Sequence, residues 1–158
     1  MILYHGSFLE IPEPDTRHSR PKVDFGPGFY TTPIKEQASK WCARFSRDGG
    51  HGVINAYECD EAFYAGAKVL RFDSYSEDWL DYVMACRRGV APADSYDVVE
   101  GGVADDKVFN TVELYLDGLI DKGEAIKRLR FEKPNWQVCF RTQTAIEKCL
   151  QFVGSETL

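Results

Sequence analysis

The 158-residue sequence has no long apolar run and no sign of a targeting segment. A membrane-spanning helix needs about 18 to 20 consecutive apolar residues, and no stretch approaches that length. The first residues, MILYHGSFLE, carry neither a basic leader nor the apolar region of a secretory signal. We therefore expect a cytoplasmic protein without a membrane partner.

Paired cysteines are also absent. The chain has five cysteines, an odd number, and no two of them show the Cys-x-x-Cys spacing of a zinc site. A disulfide framework is typical of short secreted chains with paired cysteines. We expect instead five buried thiols, namely Cys42, Cys59, Cys86, Cys139 and Cys149.

Positive charge is scarce. The chain has 19 Lys and Arg against 25 Asp and Glu, which gives a net charge of -6. Non-specific nucleic-acid binding depends on neutralising phosphates, so this balance weakly disfavours a nucleic-acid partner. Two basic runs, 17–22 and 127–133, offer local phosphate contacts, although a solvated loop and a helix end are the more ordinary explanations.

The remaining composition is that of an ordinary folded domain, with 44% hydrophobic and 28% charged residues. No repeat or linker divides the chain, so we expect one domain over residues 1–158. Periodicity and turn residues predict an α+β fold with a largely antiparallel sheet and flanking helices. The predicted strands are 2–5, 28–32, 52–59, 67–72, 96–100, 136–142 and a short last one at 151–153. The predicted helices are 32–45, 74–88, 104–118, 121–131 and 142–151, and the first of them has its apolar stripe at Ile34, Ala38, Trp41 and Phe45.

The tripeptide Asp24-Phe25-Gly26 matches the magnesium-holding motif of protein kinases. That motif needs a glycine-rich loop, a strand lysine and a His-Arg-Asp loop upstream, and only 23 residues precede Asp24. We therefore exclude a kinase and interpret DFGPGFY as a tight turn that ends a long loop from Phe8 to Pro27. Gly28 allows a close backbone approach, either to a ligand or simply at a turn entering a strand.

Adjacent acids at Asp105 and Asp106 follow a glycine pair and could suggest a metal site. Carboxylates at the start of a helix are expected from the helix dipole, however, and this explanation is the stronger one. We expect no metal.

Three short motifs occur together in the first 41 residues. They are Tyr4-His5-Gly6-Ser7 on the first predicted strand, Gly28-Phe29-Tyr30 at the second, and Trp41 eleven residues after Tyr30 on the next helix. In this combination the chain resembles the diphtheria-toxin and poly(ADP-ribose) polymerase branch of the ADP-ribosyltransferase superfamily, which is known for a His-Tyr-Glu triad. The whole chain also resembles a bacterial family of unknown function placed in this superfamily, which shows YHGS, DFG-x-GFY-x-T and a late Q-x-x-F-x-T, here Gln137, Phe140 and Thr142.

The resemblance implies an ADP-ribosyltransferase-like fold with a split sheet, and NAD as the substrate. Aromatic faces suit a planar nicotinamide ring, so Tyr30 and Trp41 are expected to form two walls of a slot. Gly6 exposes one backbone donor and one acceptor, the complement of a carboxamide. His5 is expected to hydrogen-bond a ribose hydroxyl, and Arg20 to contact the phosphates. The expected NAD site comprises His5, Gly6, Ser7, Arg20, Gly28, Phe29, Tyr30, Thr31 and Trp41, with His5, Tyr30 and Gln137 as the catalytic group.

Gln137 departs from the branch, which has a glutamate at the matching late strand. Breaking the bond between nicotinamide and ribose passes through an oxocarbenium-like centre, which a carboxylate stabilises and an amide does not. Three explanations remain, in order of preference: slow or substrate-assisted transfer, another acid in the site, or a domain that binds NAD without turning it over. The other acids considered are Asp105, Asp106 and Glu132.

A second departure is Ala38, which stands where the branch has a serine that binds the carboxamide. Ser7 or a backbone group is expected to replace it.

Other functional classes remain open. A Cys-His hydrolase on Cys139 or Cys42 with His51 lacks any local mark of an activated thiol. An inactive module that binds NAD, a nucleotide or a protein on the same fold is the serious competitor because of Gln137. The acceptor of ADP-ribose is unknown, and a toxin or phage-linked effector role is implied only by kinship with small bacterial relatives.

Overall fold

The computed structural model describes residues 1–47, 49–90, 95–132 and 135–158. Its strands are β1 Ile2–Ser7, β2 Phe29–Thr31, β3 Val53–Cys59, β4 Val69–Arg71, β5 Val98–Gly102, β6 Trp136–Phe140 and β7 Leu150–Thr157. Its helices are α1 Lys35–Ala43, α2 Glu61–Gly66, α3 Glu77–Arg87, α4 Asp106–Leu116, α5 Lys122–Leu129 and α6 Gln143–Cys149, with a 3₁₀ turn at Arg44–Ser46. None of the helices in these ranges is both long enough and apolar enough to cross a membrane.

The described strands form two sheets. One has the order β1-β3-β7 and is antiparallel throughout. The other has the order β2-β6-β5-β4, in which only the pair of β4 and β5 is parallel. The predicted α+β class with helices flanking largely antiparallel strands is confirmed.

A single bridge joins the two sheets. Tyr4 of β1 and Thr32, just after β2, exchange both backbone hydrogen bonds at 2.8 Å. Beyond this pair the strands diverge, because β1 continues along β3 while β2 continues along β6. The divergence opens a gap between β1 and β2 on the side of the long loop 8–28.

Three apolar clusters hold the elements together. The largest packs α3, α4 and α5 around Trp79, Leu80 and Val112. A second lies between the two sheets and α6 and includes Leu3 and Phe140. A small third cluster packs α1 against β1 and β3. All five cysteines are buried, as expected from the sequence, and no disulfide joins two of them.

The buried face of α1 differs from the predicted stripe. Its buried residues are Gln37, Ala38 and Cys42, whereas Ile34 is 39% exposed. The reason is tertiary, since a β-carbon at Gly6 of β1 would lie only 2.4 Å from the carbonyl oxygen of Ala38. This close packing turns the helix so that Trp41 lies at the edge of the gap and only partly buried.

Two helix starts were predicted two to three residues too early. Thr32 uses its backbone to pair with Tyr4 and therefore stays extended, so α1 begins at Lys35 although the Thr32 hydroxyl still accepts from the Ile34 amide at 3.1 Å. The cap of α3 is Ser76, whose hydroxyl accepts from the Trp79 amide, and not Ser74.

Other differences concern the strands and one helix. The short helix α2 was not predicted, and the last strand is eight residues long. Gly101 and Gly102 lie within β5, beyond the end of the predicted strand 96–100. A β-carbon at Gly102 would lie 2.4 Å from the ring of Tyr75, so the glycine makes room for an aromatic side chain instead of turning the chain.

Candidate functional site

A cavity of about 720 Å³ fills the gap between β1, β2, α1 and the loop 8–28. Nine of the ten residues predicted for the NAD site line it, namely His5, Gly6, Ser7, Arg20, Gly28, Phe29, Tyr30, Trp41 and Gln137. The tenth, Thr31, does not line it, because its buried hydroxyl donates to the Val138 carbonyl at 3.1 Å. The local motifs and the late strand are thus brought to one place by the fold.

Gly6 turns its backbone groups toward this cavity. Successive residues of a strand direct their N–H and C=O groups to opposite edges, so Gly6 faces the same edge as Tyr4, away from β3. Continuing the bridge of Tyr4 with Thr32 would pair Gly6 with Tyr30, but the sheet is split there. Outside the ladder with β3, neither Gly6 group has a backbone partner among the described residues. One donor and one acceptor are therefore free at the split.

The His5 side chain forms a hydrogen bond with the Tyr30 carbonyl, the group that the Gly6 amide would bond in a continuous sheet. Its Nδ1 lies 2.6 Å from the carbonyl oxygen of Tyr30, and a carbonyl only accepts, so Nδ1 carries the proton. The pKa of His5 is lowered from 6.5, chiefly because burial disfavours the charged ring. The ring is therefore neutral at pH 7, and its Nε2 is a hydrogen-bond acceptor. Stacking on Phe29, with ring centroids 4.5 Å apart, fixes the ring.

Tyr30 is held through its hydroxyl. The hydroxyl donates to the Gly26 carbonyl at 2.6 Å and accepts from the Phe25 amide at 3.0 Å. Gly26 has φ of 76°, a left-handed conformation that favours glycine, and this confirms the predicted tight turn. Burial raises the pKa of the Tyr30 phenol well above 10.0, so the group stays neutral. Only the ring of Tyr30 is left to face the cavity.

Two aromatic rings are presented to the cavity from different elements. Tyr30 comes from β2 and Trp41 from the last turn of α1. Both line the cavity, and none of the ring contacts found in the described chain joins the two. Two separate aromatic faces at one cavity suit a planar ligand ring.

Gly28 and Ser7 have structural roles at the same wall. A β-carbon at Gly28 would lie 2.5 Å from the Cys139 sulfur, so the close approach inferred from the sequence is made to β6. The Ser7 hydroxyl accepts from the Leu9 amide at 3.4 Å and helps to begin the loop.

Exposed cations surround the cavity. Arg20, predicted from the sequence, is joined there by Lys22 and Arg44. None of the three forms an ion pair with another described residue. Glu13 and Asp15 also line the cavity, and Asp15 is paired with Arg17 and His18. The suitability of this cavity for phosphate groups therefore rests on the three cations without an acidic partner.

Asp24, the first residue of the kinase-like tripeptide, is buried in the cavity wall and was missed as a site residue. Its Oδ1 accepts from Nε and Nη2 of Arg87 at 2.9 and 2.5 Å. Its Oδ2 accepts from the Ala104 amide at 3.0 Å and from Nε2 of Gln137 at 2.9 Å. All four acceptor positions of the carboxylate are used, so the group anchors its neighbours. An aspartate inside a glycine-rich apolar turn was the available signal, whereas nothing in the sequence pointed to Arg87.

Gln137 is positioned by these contacts. Its Nε2 donates to Asp24 and, at 3.3 Å, to the Gly102 carbonyl. Both neighbours only accept, so the amide nitrogen must face them. The opposite atom, Oε1, has no partner among the described residues and is the acceptor that Gln137 offers to the cavity.

The alternative acids do not reach this cavity. Asp105, Asp106 and Glu132 are all absent from its described lining, and Asp105 instead accepts from the Asn135 side chain at 2.7 Å. The basic run 127–133 is also elsewhere, and its Lys133 lies outside the described residues.

The thiol alternative is disfavoured by the structure. Burial raises the pKa of Cys139 to about 12 and also raises the pKa of Cys42. Neither thiol is poised to ionise at neutral pH.

A second cavity, of about 630 Å³, contains none of the predicted residues. It lies by Met1, and the charged residues of its lining are four acids and one lysine, namely Glu58, Asp60, Glu61, Glu147 and Lys148. Such a wall repels phosphates and other anions, so the first cavity is the better candidate for an anionic nucleotide.

Fold and cavity define a mixed α+β protein with a cleft at a sheet split, lined by aromatic faces, free backbone groups and cations. The DUF3990 family, described as a protein of unknown function, matches residues 1–152, and the chain belongs to this family. No curated protein and no solved structure matches it.

Proposed function

We propose that this chain is an NAD-dependent ADP-ribosyltransferase-like protein with the corresponding split-sheet fold. It cleaves the bond between nicotinamide and ribose and transfers ADP-ribose to an acceptor. The observation that carries the proposal is the free backbone donor and acceptor of Gly6 at the sheet split, beside the ring of Tyr30. A carboxamide on a planar ring is complementary to this pair of features.

Nicotinamide fits the part of the cavity between β1 and β2. Its carboxamide pairs with the N–H and C=O of Gly6, and its ring lies against Tyr30 and Trp41. The hydroxyl of Tyr30 is already used within the protein, so Tyr30 acts through its ring face. These contacts orient the glycosidic bond of NAD in the cleft.

The ribose and the phosphates fit the remaining walls. Nε2 of His5 and Oε1 of Gln137 are both acceptors, and each suits a ribose hydroxyl. Arg20, Lys22 and Arg44 suit the diphosphate because they are exposed and have no acidic partner among the described residues.

Turnover is slow in this proposal. The C1′–N bond breaks with its electron pair on the nicotinamide ring, which leaves as a neutral molecule, while positive charge develops on the ribose. Gln137 brings a dipole to this charge and no full negative charge. The nucleophilic atom of the acceptor bonds to C1′ and releases its proton to water, because the Gln137 amide cannot take it. The acceptor must therefore be a good nucleophile on its own.

A binding module is the second candidate, and the neutral Gln137 is the observation that favours it. It predicts that NAD binds in the same cavity, with the same contacts to Gly6, His5 and Tyr30, and is released intact.

Labelled NAD separates the two candidates. The protein is incubated with NAD and a cell lysate, and nicotinamide release, label transfer and thermal stabilisation are measured for wild type, His5→Ala and Tyr30→Ala. His51→Ala and Tyr115→Ala are matched controls, since neither residue lines the cavity. Release or transfer lost only in the two cavity variants supports the enzyme. A ligand present at 100 times its Kd stabilises a protein by about 2.7 kcal/mol, so stabilisation without release supports the module. If the wild-type protein shows neither release or transfer nor thermal stabilisation by NAD, both the enzyme and the binding module are refuted.

A further inference from the structure

We propose that Asp24 is the positioning residue of the site: it fixes the Gln137 amide and polarises its oxygen, the atom that stands where a glutamate at position 137 would bring a negative charge. This inference rests on the proposed function for its catalytic part. The pairing of the two residues is tested independently below.

The first step is that Asp24 is rigid. Its side chain is 8% exposed and accepts four hydrogen bonds from Arg87, Ala104 and Gln137. Arg87 in turn lies over the ring of Phe109, 4.8 Å from its centroid. Contacts from α3, from the segment after β5 and from β6 thus hold the carboxylate in a single side-chain conformation.

The second step is that this carboxylate decides which way the Gln137 amide points. An amide can be inverted with little change of shape, and inversion would bring Oε1 of Gln137 against Oδ2 of Asp24 and the Gly102 carbonyl. Three acceptors would then face one another without a proton between them. Asp24 therefore keeps Nε2 inward and Oε1 toward the cavity.

The third step is polarisation. A hydrogen bond from Nε2 to a buried carboxylate is charge-assisted and draws electron density toward Oε1 across the conjugated amide. The oxygen that faces the ribose is consequently a stronger acceptor than that of an isolated glutamine. Arg87 balances the Asp24 charge itself, so the strengthened dipole of the Gln137 amide is what acts where positive charge develops.

The fourth step explains why position 137 carries an amide. A glutamate there would bring a second carboxylate within hydrogen-bond distance of Asp24, and two such groups cannot both ionise without cost. The groups that face Asp24 are Arg87, Tyr30, Tyr75 and Cys139. Among these described neighbours Arg87 alone is positively charged, so it balances one carboxylate and not two.

The test uses Asp24→Asn, Gln137→Glu, their combination, and Gln137→Met as a matched uncharged control. Nicotinamide release and thermal unfolding are measured for each from pH 5.5 to 8. Asp24→Asn is expected to lower kcat about tenfold or more, equivalent to ~1.4 kcal/mol of transition-state stabilisation, with a smaller change in KM. A purely structural role would lower the amount of folded protein and leave kcat of the folded fraction unchanged.

Gln137→Glu carries the sharper prediction. Two adjacent carboxyls hold a proton to higher pH in the folded variant than in the unfolded chain, so the stability of the variant is greatest in acid, below the ordinary carboxyl pKa of about 4, and falls as the pH rises above it. The Tm of Gln137→Glu is therefore expected to fall between pH 5.5 and 8 relative to Gln137→Met. In the double variant an acid and an amide again face each other, so this extra pH dependence is expected to disappear. Its kcat is expected to recover partly relative to that of Asp24→Asn alone, and only partly because the hydrogen bond from the Ala104 amide is lost.

Each outcome is decisive. Unchanged kcat in folded Asp24→Asn, or a Gln137→Glu protein with the same pH dependence as Gln137→Met, overturns the inference. If Asp24→Asn does not fold, the comparison of Gln137→Glu with Gln137→Met and the double variant still decides it. A wild type that neither binds nor cleaves NAD refutes the proposed function, and the unfolding data then support or overturn the pairing by themselves.

Discussion

Replacing Tyr30 by phenylalanine separates the ring of this residue from its hydroxyl. The hydroxyl makes two hydrogen bonds, to the Gly26 carbonyl and from the Phe25 amide, and both partners are buried. Each bond contributes about 1 kcal/mol net, so Tyr30→Phe is expected to lose about 2 kcal/mol of unfolding free energy. For a domain of this size that is a drop in Tm of about 4–8 °C.

The same variant is expected to keep NAD affinity within about threefold of wild type, because its aromatic face remains in place and a threefold change is under 1 kcal/mol. Tyr30→Ala removes the face and is expected to abolish binding. Thermal unfolding and titration with NAD measure the two effects, and Tyr115→Phe, whose hydroxyl has no partner found in the described chain, is the matched control. A folded Tyr30→Phe protein with unchanged Tm and more than tenfold weaker binding would show that the hydroxyl contacts the ligand, and the reasoning would be wrong.

Three further predictions concern the neighbouring residues. Gly6→Ala would place a β-carbon 2.4 Å from the Ala38 carbonyl oxygen, so the free energy of unfolding should fall by about 1–3 kcal/mol because of overpacking. The control Gly123→Ala, within α5, should not lower the free energy of unfolding. Arg20→Gln should weaken NAD binding about threefold to tenfold at low salt and less at high salt, with nicotinamide binding unchanged; equal weakening at all salt concentrations would contradict a phosphate contact. Neutral His5 contributes stability above pH 6.5, and this stability is lost as the pH falls through the lowered pKa of His5. Protonation also removes the acceptor at Nε2, so NAD affinity should be flat above pH 6.5 and decline in acid. A His5→Gln protein with the same decline would exclude His5 as its cause.

The sequence was informative where the determinants are local. The position of the His5 motif on the first strand, the turn at Gly26 and the cap of α6 at Thr142 are each specified by residues within a few positions of one another, and the structure shows them as expected. The class of fold followed from the periodicity of the strands and helices.

What the sequence could not show is contact across long separations. Asp24 and Gln137 are 113 residues apart, and Asp24 and Arg87 are 63 apart. A single sequence carries no signal for such pairs, so the acids it offered as alternatives near Gln137 were Asp105, Asp106 and Glu132. The face of α1 was misjudged for the same reason, since the packing of Ala38 on Gly6 is a tertiary contact.

The cleft traces to one event in the fold, the end of pairing between β1 and β2. A regular sheet would bond Gly6 to Tyr30, and both residues would then have no group free for a ligand. The His5 ring takes the Tyr30 carbonyl instead, which leaves the amide of Gly6 unpaired and at the same time sets the tautomer of His5. Because one side-chain contact both opens the sheet and orients an acceptor, loss of His5 should alter the shape of the cleft as well as its chemistry. A conservative His5→Gln variant is therefore expected to change the affinity for free nicotinamide, which does not reach the ribose position, and unchanged nicotinamide affinity would show that the split is maintained without the histidine.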